Sequence, residues 1–410
     1  MKAHLIESRA IFRGLRYSRA RNALQVQKMI DALMDGHDAD VVQQVETLLT
    51  SALSMNASDI HVEPFQDGLR VRFRIDGLLR EIVTLPATLA PRVVSRLKIM
   101  SNLDISEKRL PQDGRYRLQP ANEKPADFRV STCPVIHGEK VVLRLLEQGN
   151  ASLPLDALGM LPEQLALLER VLSRPQGLVL VTGPTGSGKT ITLYAALVRL
   201  NAVMRNIATV EDPVEILLNG INQVAINPKT GLDFATVLRA LLRQDPDVLM
   251  IGEIRDRETA EIAVKAAHTG HLVLSTLHTT SAAESLVRLQ HMGIAAWLLA
   301  TSLSLVIAQR LVRVLCVHCR IPDTEGTFKA QGCSRCNQGY QGRTGIFEVL
   351  NLDDTLRDAI LRGDNTLKLQ ALSRECGMFS LNKSGTILVR AGVTTAEELY
   401  RVTGEEAADA

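Results

Sequence analysis

The stretch LVLVTGPTGSGKTITL, residues 178–193, constrains the fold of this 410-residue chain more than any other. The run 178–182 is largely apolar and rich in β-branched residues, which predicts a buried parallel strand. Residues 191–197 predict a helix. Between them, GPTGSGKT (183–190) matches the pattern G-x-x-x-x-G-K-T. A strand before the pattern and a helix after it are the context of a phosphate-binding loop, or P-loop.

The residue types of this loop suit a nucleoside triphosphate. Glycines let successive backbone N–H groups face one anion, and the helix N-terminus adds partial positive charge. Lys189 supplies a cation for the β- and γ-phosphates, and the Thr190 hydroxyl can ligate Mg²⁺. The alternative is a glycine-rich turn that matches by accident, and the flanking strand and helix count against it. The predicted cofactors are therefore ATP and Mg²⁺, and the predicted ligands are Gly183, Pro184, Thr185, Gly186, Ser187, Gly188, Lys189 and Thr190.

Strands and helices alternate after the P-loop. Strands are predicted at 206–210, 248–253 and 271–278, and helices at 234–243 and 259–268. This alternation is typical of a doubly wound parallel sheet of the RecA-like type. The apolar run 294–308, about 15 residues long, is too short to span a bilayer and is interpreted as a buried helix.

Three side chains stand where predicted strands end. Glu211 and Glu253 each close a strand at the carboxyl edge of the sheet, where ligands bind. There they can hold Mg²⁺ through water or polarise the attacking water. His278 ends another strand at the same edge. A structural histidine and a sensor of the γ-phosphate are both consistent with that position, and His271 at the other end of the strand is a weaker candidate.

A smaller α/β domain is predicted before the P-loop. Apolar residues at helical spacing give an amphipathic helix from residue 41, and 58–146 contain strands with at least one helix. Strict alternation in 69–75 places three arginines on one face, and Asp76-Gly77 predicts a hairpin turn. The arginines are interpreted either as a solvated strand face or as arginine fingers that reach a γ-phosphate.

Four of the six cysteines form two C-x-x-C pairs separated by thirteen residues. Such pairs can close a tetrahedral thiolate site, so structural zinc is predicted, with free or redox thiols as the alternative. The predicted ligands are Cys316, Cys319, Cys333 and Cys336. Cys133 and Cys376 stand apart and are predicted to be buried apolar residues.

Composition argues against a nucleic-acid partner. Net charge is only +2, from 47 basic and 45 acidic residues, and aromatic residues make up 3% of the chain. The first thirty residues are basic, with Glu7 as their one acid, and form either a solvated arm or a surface for an anionic lipid or partner. They lack the apolar core of an export signal.

Together these features divide the chain into six predicted regions. They are a basic arm (1–40), a small α/β domain with arginine fingers (41–148), a linker (149–175), a RecA-like core (176–315), a zinc module (316–345) and a helical C-terminal region (346–410).

Several motifs resemble the secretion ATPases of type II secretion, type IV pilus assembly and competence pseudopili. The resemblance spans about residues 41–400. The motifs are ASDIHVEP (57–64), RVRFRIDG (70–77), EKRLPQDGR (107–115), GPTGSGKT (183–190), TVEDPVE (209–215), RQDPDVLMIGEIRD (243–256), TGHLVLSTLHT (269–279) and the four cysteines.

The resemblance implies an α/β fold class: a RecA-like P-loop NTPase domain, a smaller α/β (PAS-like) N-terminal domain, a tetracysteine zinc module and a helical C-terminal region. It assigns Glu211 to the Asp box, Glu253 as general base and His278 to the His box. It also implies that arginines of the small domain, best matched by Arg115 and Arg129, reach the nucleotide.

At the level of assembly, the resemblance implies a homohexamer in the cytoplasm, peripheral to the bacterial inner membrane. Such rings drive an inner-membrane platform protein that lifts pilin-like subunits from the bilayer. The cysteines indicate the assembly or secretion branch, because pilus-retraction ATPases generally lack them. Longer members carry a further N-terminal domain that docks to membrane-associated adaptors, so a shortened N-terminal region is expected here. A nucleic-acid motor and a non-hydrolysing scaffold are the competing functions, and the intact catalytic residues argue against the scaffold.

Overall fold

The architecture is taken from a computed structural model, which describes residues 41–119, 125–146, 153–323 and 326–407. The predicted basic arm lies outside these residues. In the described part of the chain, none of the helices combines the length and the hydropathy that a membrane span requires.

The small domain is an antiparallel sheet covered on one face by two helices. Its helices are α1 (Val41–Ser54) and α2 (Ala90–Met100), and its strands are β1 (Ala57–Pro64), β2 (Leu69–Ile75), β3 (Leu78–Leu85), β4 (Gln112–Leu118), β5 (Ala126–Val135) and β6 (Gly138–Leu146). The strand order is β3-β2-β1-β6-β5-β4. Apolar side chains of both helices and of one sheet face form a single core, including Val45, Phe73, Val93 and Phe128.

The predicted hairpin turn is confirmed. Ile75 pairs with Leu78, which leaves only Asp76 and Gly77 in the turn, and their φ angles are +50° and +85°. Two consecutive positive φ values are what a two-residue hairpin of right-handed twist needs. The alternation seen in the sequence therefore places the arginines of β2 on the face opposite the core.

The larger domain is built on a seven-stranded sheet. Its strand order is β15-β12-β7-β11-β10-β8-β9, parallel from β12 to β9 and antiparallel only between β12 and β15. The strands are β7 (Gly177–Thr182), β8 (Ile207–Glu211), β9 (Asn222–Ala225), β10 (Val248–Ile251), β11 (Leu272–Leu277), β12 (Leu303–Leu315) and β15 (Tyr340–Asn351). The helices among them are α3 (Pro162–Leu172), α4 (Lys189–Leu200), α5 (Phe234–Leu241), α6 (Arg257–His268), α7 (Ala282–His291) and α8 (Ala296–Ser302).

Local sequence explains where several of these helices begin. The side chains of Asp233, Asp256 and Ser281 each accept a hydrogen bond from a backbone N–H in the first turn of α5, α6 and α7, respectively. Such N-caps satisfy N–H groups that have no partner within the helix. The predicted alternation of strands and helices after the P-loop is thus confirmed.

The interpretation of 294–308 as one buried helix is wrong. Only α8 is helical, and from Leu303 the chain continues as β12, whose residues 303–309 are all buried. A strand buried on both faces of a parallel sheet is continuously apolar, so its sequence has no two-residue period to distinguish it from a buried helix.

The four cysteines lie at the far end of the β12–β15 hairpin. Leu315 pairs with Tyr340, and residues 316–339, here called the tetracysteine module, extend beyond that pair. The module contains the short strands β13 (Ile321–Pro322) and β14 (Phe328–Lys329). Because β12 and β15 both belong to the main sheet, that sheet includes residues on both sides of the module.

The predicted helical region 346–410 begins too early, because residues 346–351 belong to β15. The C-terminal region is helical from Asp354. It consists of α9 (Asp354–Arg362), α10 (Thr366–Glu375), α11 (Leu381–Arg390) and α12 (Ala396–Thr403). Several hydrogen bonds and an ion pair attach it to the hairpin. Arg313 donates to both carboxylate oxygens of the buried Glu398, and Arg320 of the module donates to Gly392 O at 2.5 Å.

The prediction that Cys133 and Cys376 are buried is wrong, because both are exposed. Burial alternates along β5, so Cys133 lies on the arginine face while its neighbour Thr132 faces the core. Cys376 caps the C-terminus of α10 at the surface.

Candidate active site

The P-loop has the backbone that its glycines predict. Gly183, Gly186 and Gly188 all have positive φ, which other residues rarely adopt. A Cβ on Gly183 would lie 2.6 Å from Gln309 O, so a side chain at this position would force the loop away from β12. The loop is therefore held in its curled shape by close contact with the neighbouring strand.

Lys189 is folded back onto the loop. Its Nζ donates to Gly183 O at 2.9 Å and Pro184 O at 3.1 Å, and the residue is almost fully buried. Burial lowers the pKa of Lys189. The charge of Arg310 acts in the same direction, and that of Glu253 opposes both. The ammonium thus stands among loop carbonyls and is influenced by the charge of Glu253.

Gln309 supports the loop, and the sequence did not single it out. Its Nε2 donates to Ser187 O at 2.6 Å, and its Oε1 accepts from Thr192 Oγ1 at 2.8 Å. Only 1% of its surface is exposed. Buried amide groups are normally hydrogen-bonded, so a single glutamine in a largely apolar strand indicates a structural role. That pattern could have identified Gln309 from the sequence.

Glu253 follows β10 and lies among charged groups at the carboxyl edge of the sheet. Arg255 Nη2 donates to its Oε1 at 2.5 Å, and His278 Nε2 lies 3.4 Å from its Oε2. Burial alone would raise the pKa of Glu253, but the hydrogen bond and charge of Arg255, together with His278, outweigh it and lower the pKa. Glu253 is therefore ionised at neutral pH. Arg255 also contacts Asp212 Oδ2 at 3.5 Å.

His278 is brought between the P-loop and Glu253. It follows β11, which lies between β7 and β10 in the sheet. The Thr182 hydroxyl, at the end of β7, donates to the backbone beside His278 and is 2.6 Å from Thr279 Oγ1. Arg310 donates to Thr280 O at 3.0 Å. The P-loop, Glu253 and His278 together form what we call the phosphate edge.

Two other candidates, His271 and Glu211, are not part of the phosphate edge. His271 is at the opposite end of β11, and its Nδ1 contacts Ala266 O at 3.1 Å. Glu211 ends β8 at the correct edge, but only 3% of its surface is exposed. Its carboxylate accepts hydrogen bonds from Tyr194 Oη, Thr209 Oγ1 and Gln223 Nε2. The Glu211 carboxylate is therefore engaged with protein donors.

The arginines of the small domain differ in how their charges are balanced. Glu63 binds Arg70 and Arg72, and Asp59 binds Arg74 and Arg144. These four positions fit the interpretation as a solvated, paired strand face.

Arg115 and Arg129 are the exceptions on that face. They are directly opposite each other in β4 and β5, and Arg129 is opposite Arg144 of β6. Arg129 has only Asp113 at 3.8 Å, and among the described residues no carboxylate forms an ion pair with Arg115. Like charges placed opposite each other destabilise a sheet, so this end of the face carries uncompensated positive charge.

The tetracysteine module has the geometry of a metal site. Its four Sγ atoms all lie within 4.8 Å of one another. Sγ–Sγ distances are 3.9 Å for Cys316–Cys333, 3.6 Å for Cys319–Cys336 and 3.7 Å for Cys333–Cys336. Tetrahedral zinc with Zn–S bonds of about 2.3 Å requires separations of ~3.8 Å. The four thiols therefore fit one zinc ion.

Comparison with known proteins decides the family. Residues 35–401 match the sequence model of a family described as type II/IV secretion system protein. The chain belongs to this family. It is 50% identical to the type IV pilus assembly ATPase PilB of Acinetobacter baylyi, over 92% of this chain and 68% of the relative. It is 52% identical to type II secretion system protein E of Dickeya dadantii, over 92% of this chain and 78% of that protein.

A solved structure supports the fold of this family member. The structure of the pilus retraction motor PilT with bound ADP has 27% sequence identity and a TM-score of 0.60, covering 87% of this chain and 96% of PilT. The predicted α/β fold class, with its RecA-like P-loop domain, is confirmed. The chain is an ATPase of the type II/IV secretion family, which implies ATP as substrate and Mg²⁺ as its partner ion.

Proposed function

We propose that this chain powers the assembly of pilin or pseudopilin subunits, in type IV pilus biogenesis or type II secretion. Its ATPase would act as a homohexamer that moves an inner-membrane platform protein. The observation that carries the proposal is the phosphate edge, where a P-loop lysine follows β7 and an ionised glutamate follows β10, with β11 between the two strands. The proposed process, pilus assembly or secretion, is inferred from the names of two relatives, a pilus assembly ATPase and a type II secretion system protein E.

The residues of the phosphate edge have distinct proposed roles. Lys189 exchanges its two loop carbonyls for phosphate oxygens, so its positive charge is available without rebuilding the loop. Glu253, already ionised, accepts a hydrogen bond from the attacking water and orients it in line with the γ-phosphate. His278 is proposed to sense the γ-phosphate from its place beside Glu253.

Mg²⁺, when bound, neutralises charge on the β- and γ-phosphates, and the exposed hydroxyl of Thr190 is its proposed protein ligand. Zinc in the tetracysteine module is proposed to be structural. Four thiolates complete its coordination, which leaves no open position for a substrate.

Arg115 and Arg129 are proposed to act as arginine fingers. Both residues are exposed on the same sheet face. Among the described residues, no carboxylate pairs with Arg115, and Arg129 has only Asp113, at 3.8 Å. A triphosphate is the kind of anion that such a pair would bind. In a ring, a swing of the small domain that brings these arginines to a nucleotide would couple hydrolysis to domain movement.

The proposed location is the cytoplasmic face of the bacterial inner membrane. The platform protein is the proposed main partner there. A membrane-associated adaptor and an anionic lipid surface are further proposed contacts, the latter through the basic residues 1–30. No nucleic-acid partner is proposed.

The test is a phosphate-release assay on the assembled full-length chain. Added components are vesicles with the platform protein, anionic vesicles alone, or DNA. We expect stimulation by the platform protein and a loss of about a hundredfold or more in Glu253→Gln. Glu258→Gln, on the surface of α6, is the matched control.

Other outcomes of this assay would contradict the proposal. Stimulation by DNA with a steep salt dependence would instead indicate a nucleic-acid motor. Absence of hydrolysis by the assembled ring would indicate a scaffold.

A further inference from the structure

Glu211 is the buried centre of a hydrogen-bond network. Its Oε1 accepts from Thr209 Oγ1 at 2.5 Å and from Gln223 Nε2 at 3.1 Å, and its Oε2 accepts from Tyr194 Oη. A carboxylate has about four acceptor positions. Three of them are filled by protein donors, and the residue is nearly inaccessible to solvent. A metal ligand or general base needs an accessible acceptor position towards the ion or the water, and burial closes the remaining position of this carboxylate to solvent.

Tyr194 connects the network to the P-loop helix. It lies on α4, five residues after Lys189, and is 1% exposed. Its hydroxyl donates to Glu211 and accepts from Glu215 N at 3.3 Å. Burial and the negative charge of Glu211 raise the pKa of Tyr194, so the hydroxyl remains a donor at every physiological pH.

Gln223 holds the turn that follows Glu211, at residues 212–221. Its Nε2 donates to Ile216 O at 3.0 Å as well as to Glu211, and its Oε1 accepts from Leu218 N at 2.6 Å. The turn at 212–221 is therefore held at Glu215, Ile216 and Leu218 by side chains that also donate to the Glu211 carboxylate. We call Tyr194, Glu211 and Gln223 the turn lock.

The locked turn adjoins the catalytic glutamate. Gly252, which precedes Glu253, donates its N–H to Val210 O at 2.8 Å. Asp212, at the start of the turn, contacts Arg255, and Arg255 donates to Glu253. A shift of Asp212 would move the guanidinium group that orients the Glu253 carboxylate.

We propose that Glu211 is a positioning residue rather than a catalytic one, and that the turn lock joins the P-loop helix to Glu253 through Asp212 and Arg255. This inference rests on the proposed role of Glu253. The sequence suggested that Glu211 holds Mg²⁺ through water or polarises the attacking water. The present inference differs, because it predicts that the Glu211 carboxylate acts by holding the turn. The lock should therefore affect turnover and leave ATP binding largely unchanged.

Three variants of the full-length chain test the inference: Tyr194→Phe, Glu211→Gln and the double variant. Each single variant should lower kcat by about three- to tenfold, the range expected for one misplaced hydrogen bond. The KM for ATP should stay within about twofold. Because both substitutions break one lock, the double variant should be no slower than the slower single variant. Hydrogen exchange of residues 212–221, measured without nucleotide, should be faster in all three.

Tyr340→Phe is the matched control, because it also removes a buried tyrosine hydroxyl, which is 2.8 Å from Thr395 Oγ1 and distant in sequence from the turn. It should leave kcat and the exchange of 212–221 unchanged. The inference is overturned if Glu211→Gln is as inactive as Glu253→Gln while Tyr194→Phe behaves like wild type, or if the exchange of 212–221 does not change. If the wild-type ring hydrolyses no ATP, the proposed function fails, and the exchange measurement still decides whether the lock exists.

Discussion

His278 Nε2 lies 3.4 Å from Glu253 Oε2, and the two residues follow adjacent parallel strands. Under the proposed mechanism, one imidazole would contact both the Glu253 carboxylate and an incoming phosphate. It also means that a change at His278 alters the surroundings of Glu253 without removing the carboxylate.

The first prediction concerns this pair. His278→Gln should lower kcat about tenfold, because the imidazole contact with the Glu253 carboxylate is lost, and the KM for ATP should change less than threefold. Steady-state phosphate release measures both. His271→Gln, at the opposite end of β11, is the matched control and should resemble wild type. Equal losses in the two variants would indicate that both histidines act only on folding.

The second prediction concerns the arginines of β4 and β5. Arg115→Ala and Arg129→Ala should each reduce kcat by about a hundredfold or more if they stabilise charge in the transition state, because arginine fingers contribute about 10³–10⁵ in related enzymes. Thermal unfolding should change little, since both side chains are exposed. Arg92→Ala, on the helix that covers the other sheet face, is the control.

Mixed rings sharpen the test of the arginines. Subunits with Arg115→Ala are combined with subunits that carry Lys189→Ala. If the arginine acts on a neighbouring subunit, the mixture should regain activity over either variant alone. A mixture with no more activity than the sum of its parts would argue against action between subunits.

The third prediction concerns metal. The purified chain should contain one zinc per subunit, measured by elemental analysis, and Cys333→Ser should lose it. Removal of the metal should lower the unfolding temperature, because the four thiols lose the ion that joins them. Cys133→Ser, exposed and outside the module, should retain both the metal and the stability. Zinc retained by Cys333→Ser would contradict a four-thiolate site.

The fourth prediction concerns acid stability of the small domain. Burial alone would raise the pKa of Glu63, but hydrogen bonds from Arg72 and Lys140 and their charges outweigh it and lower the pKa to about 2. A carboxylate whose pKa is lower in the folded state stabilises the fold above its unfolded pKa of about 4.3. That contribution is lost as the pH falls from about 4.3 towards 2.

Urea unfolding of the full-length chain between pH 6 and pH 2.5 measures this dependence. Wild type should lose stability over the stated range, and Glu63→Gln should be less stable at pH 6 with a shallower decline. Glu81→Gln, on the exposed part of β3, is the control. An identical pH dependence in wild type and Glu63→Gln would show that Glu63 does not contribute.

The sequence was most informative where a local pattern is sufficient. The strand, glycine loop and helix of 178–200 are determined by residues adjacent in the chain, and so is the turn at Asp76-Gly77. The contact of Gln309 with Ser187 and that of Arg255 with Asp212 could not be predicted in this way. Their partners are far apart in the chain and meet only when distant strands align. The same limit explains 303–308, where burial on both faces removes the period that would have marked a strand.

Leu315 and Tyr340 face each other at the last pair of the β12–β15 ladder, and none of the described residues within 316–339 belongs to a strand of the seven-stranded sheet. A tight turn joining these two positions would preserve every strand pairing of that sheet. We therefore expect the ATPase core to tolerate insertions or deletions between them, so that the length of this hairpin tip could vary independently of the hydrolytic chemistry.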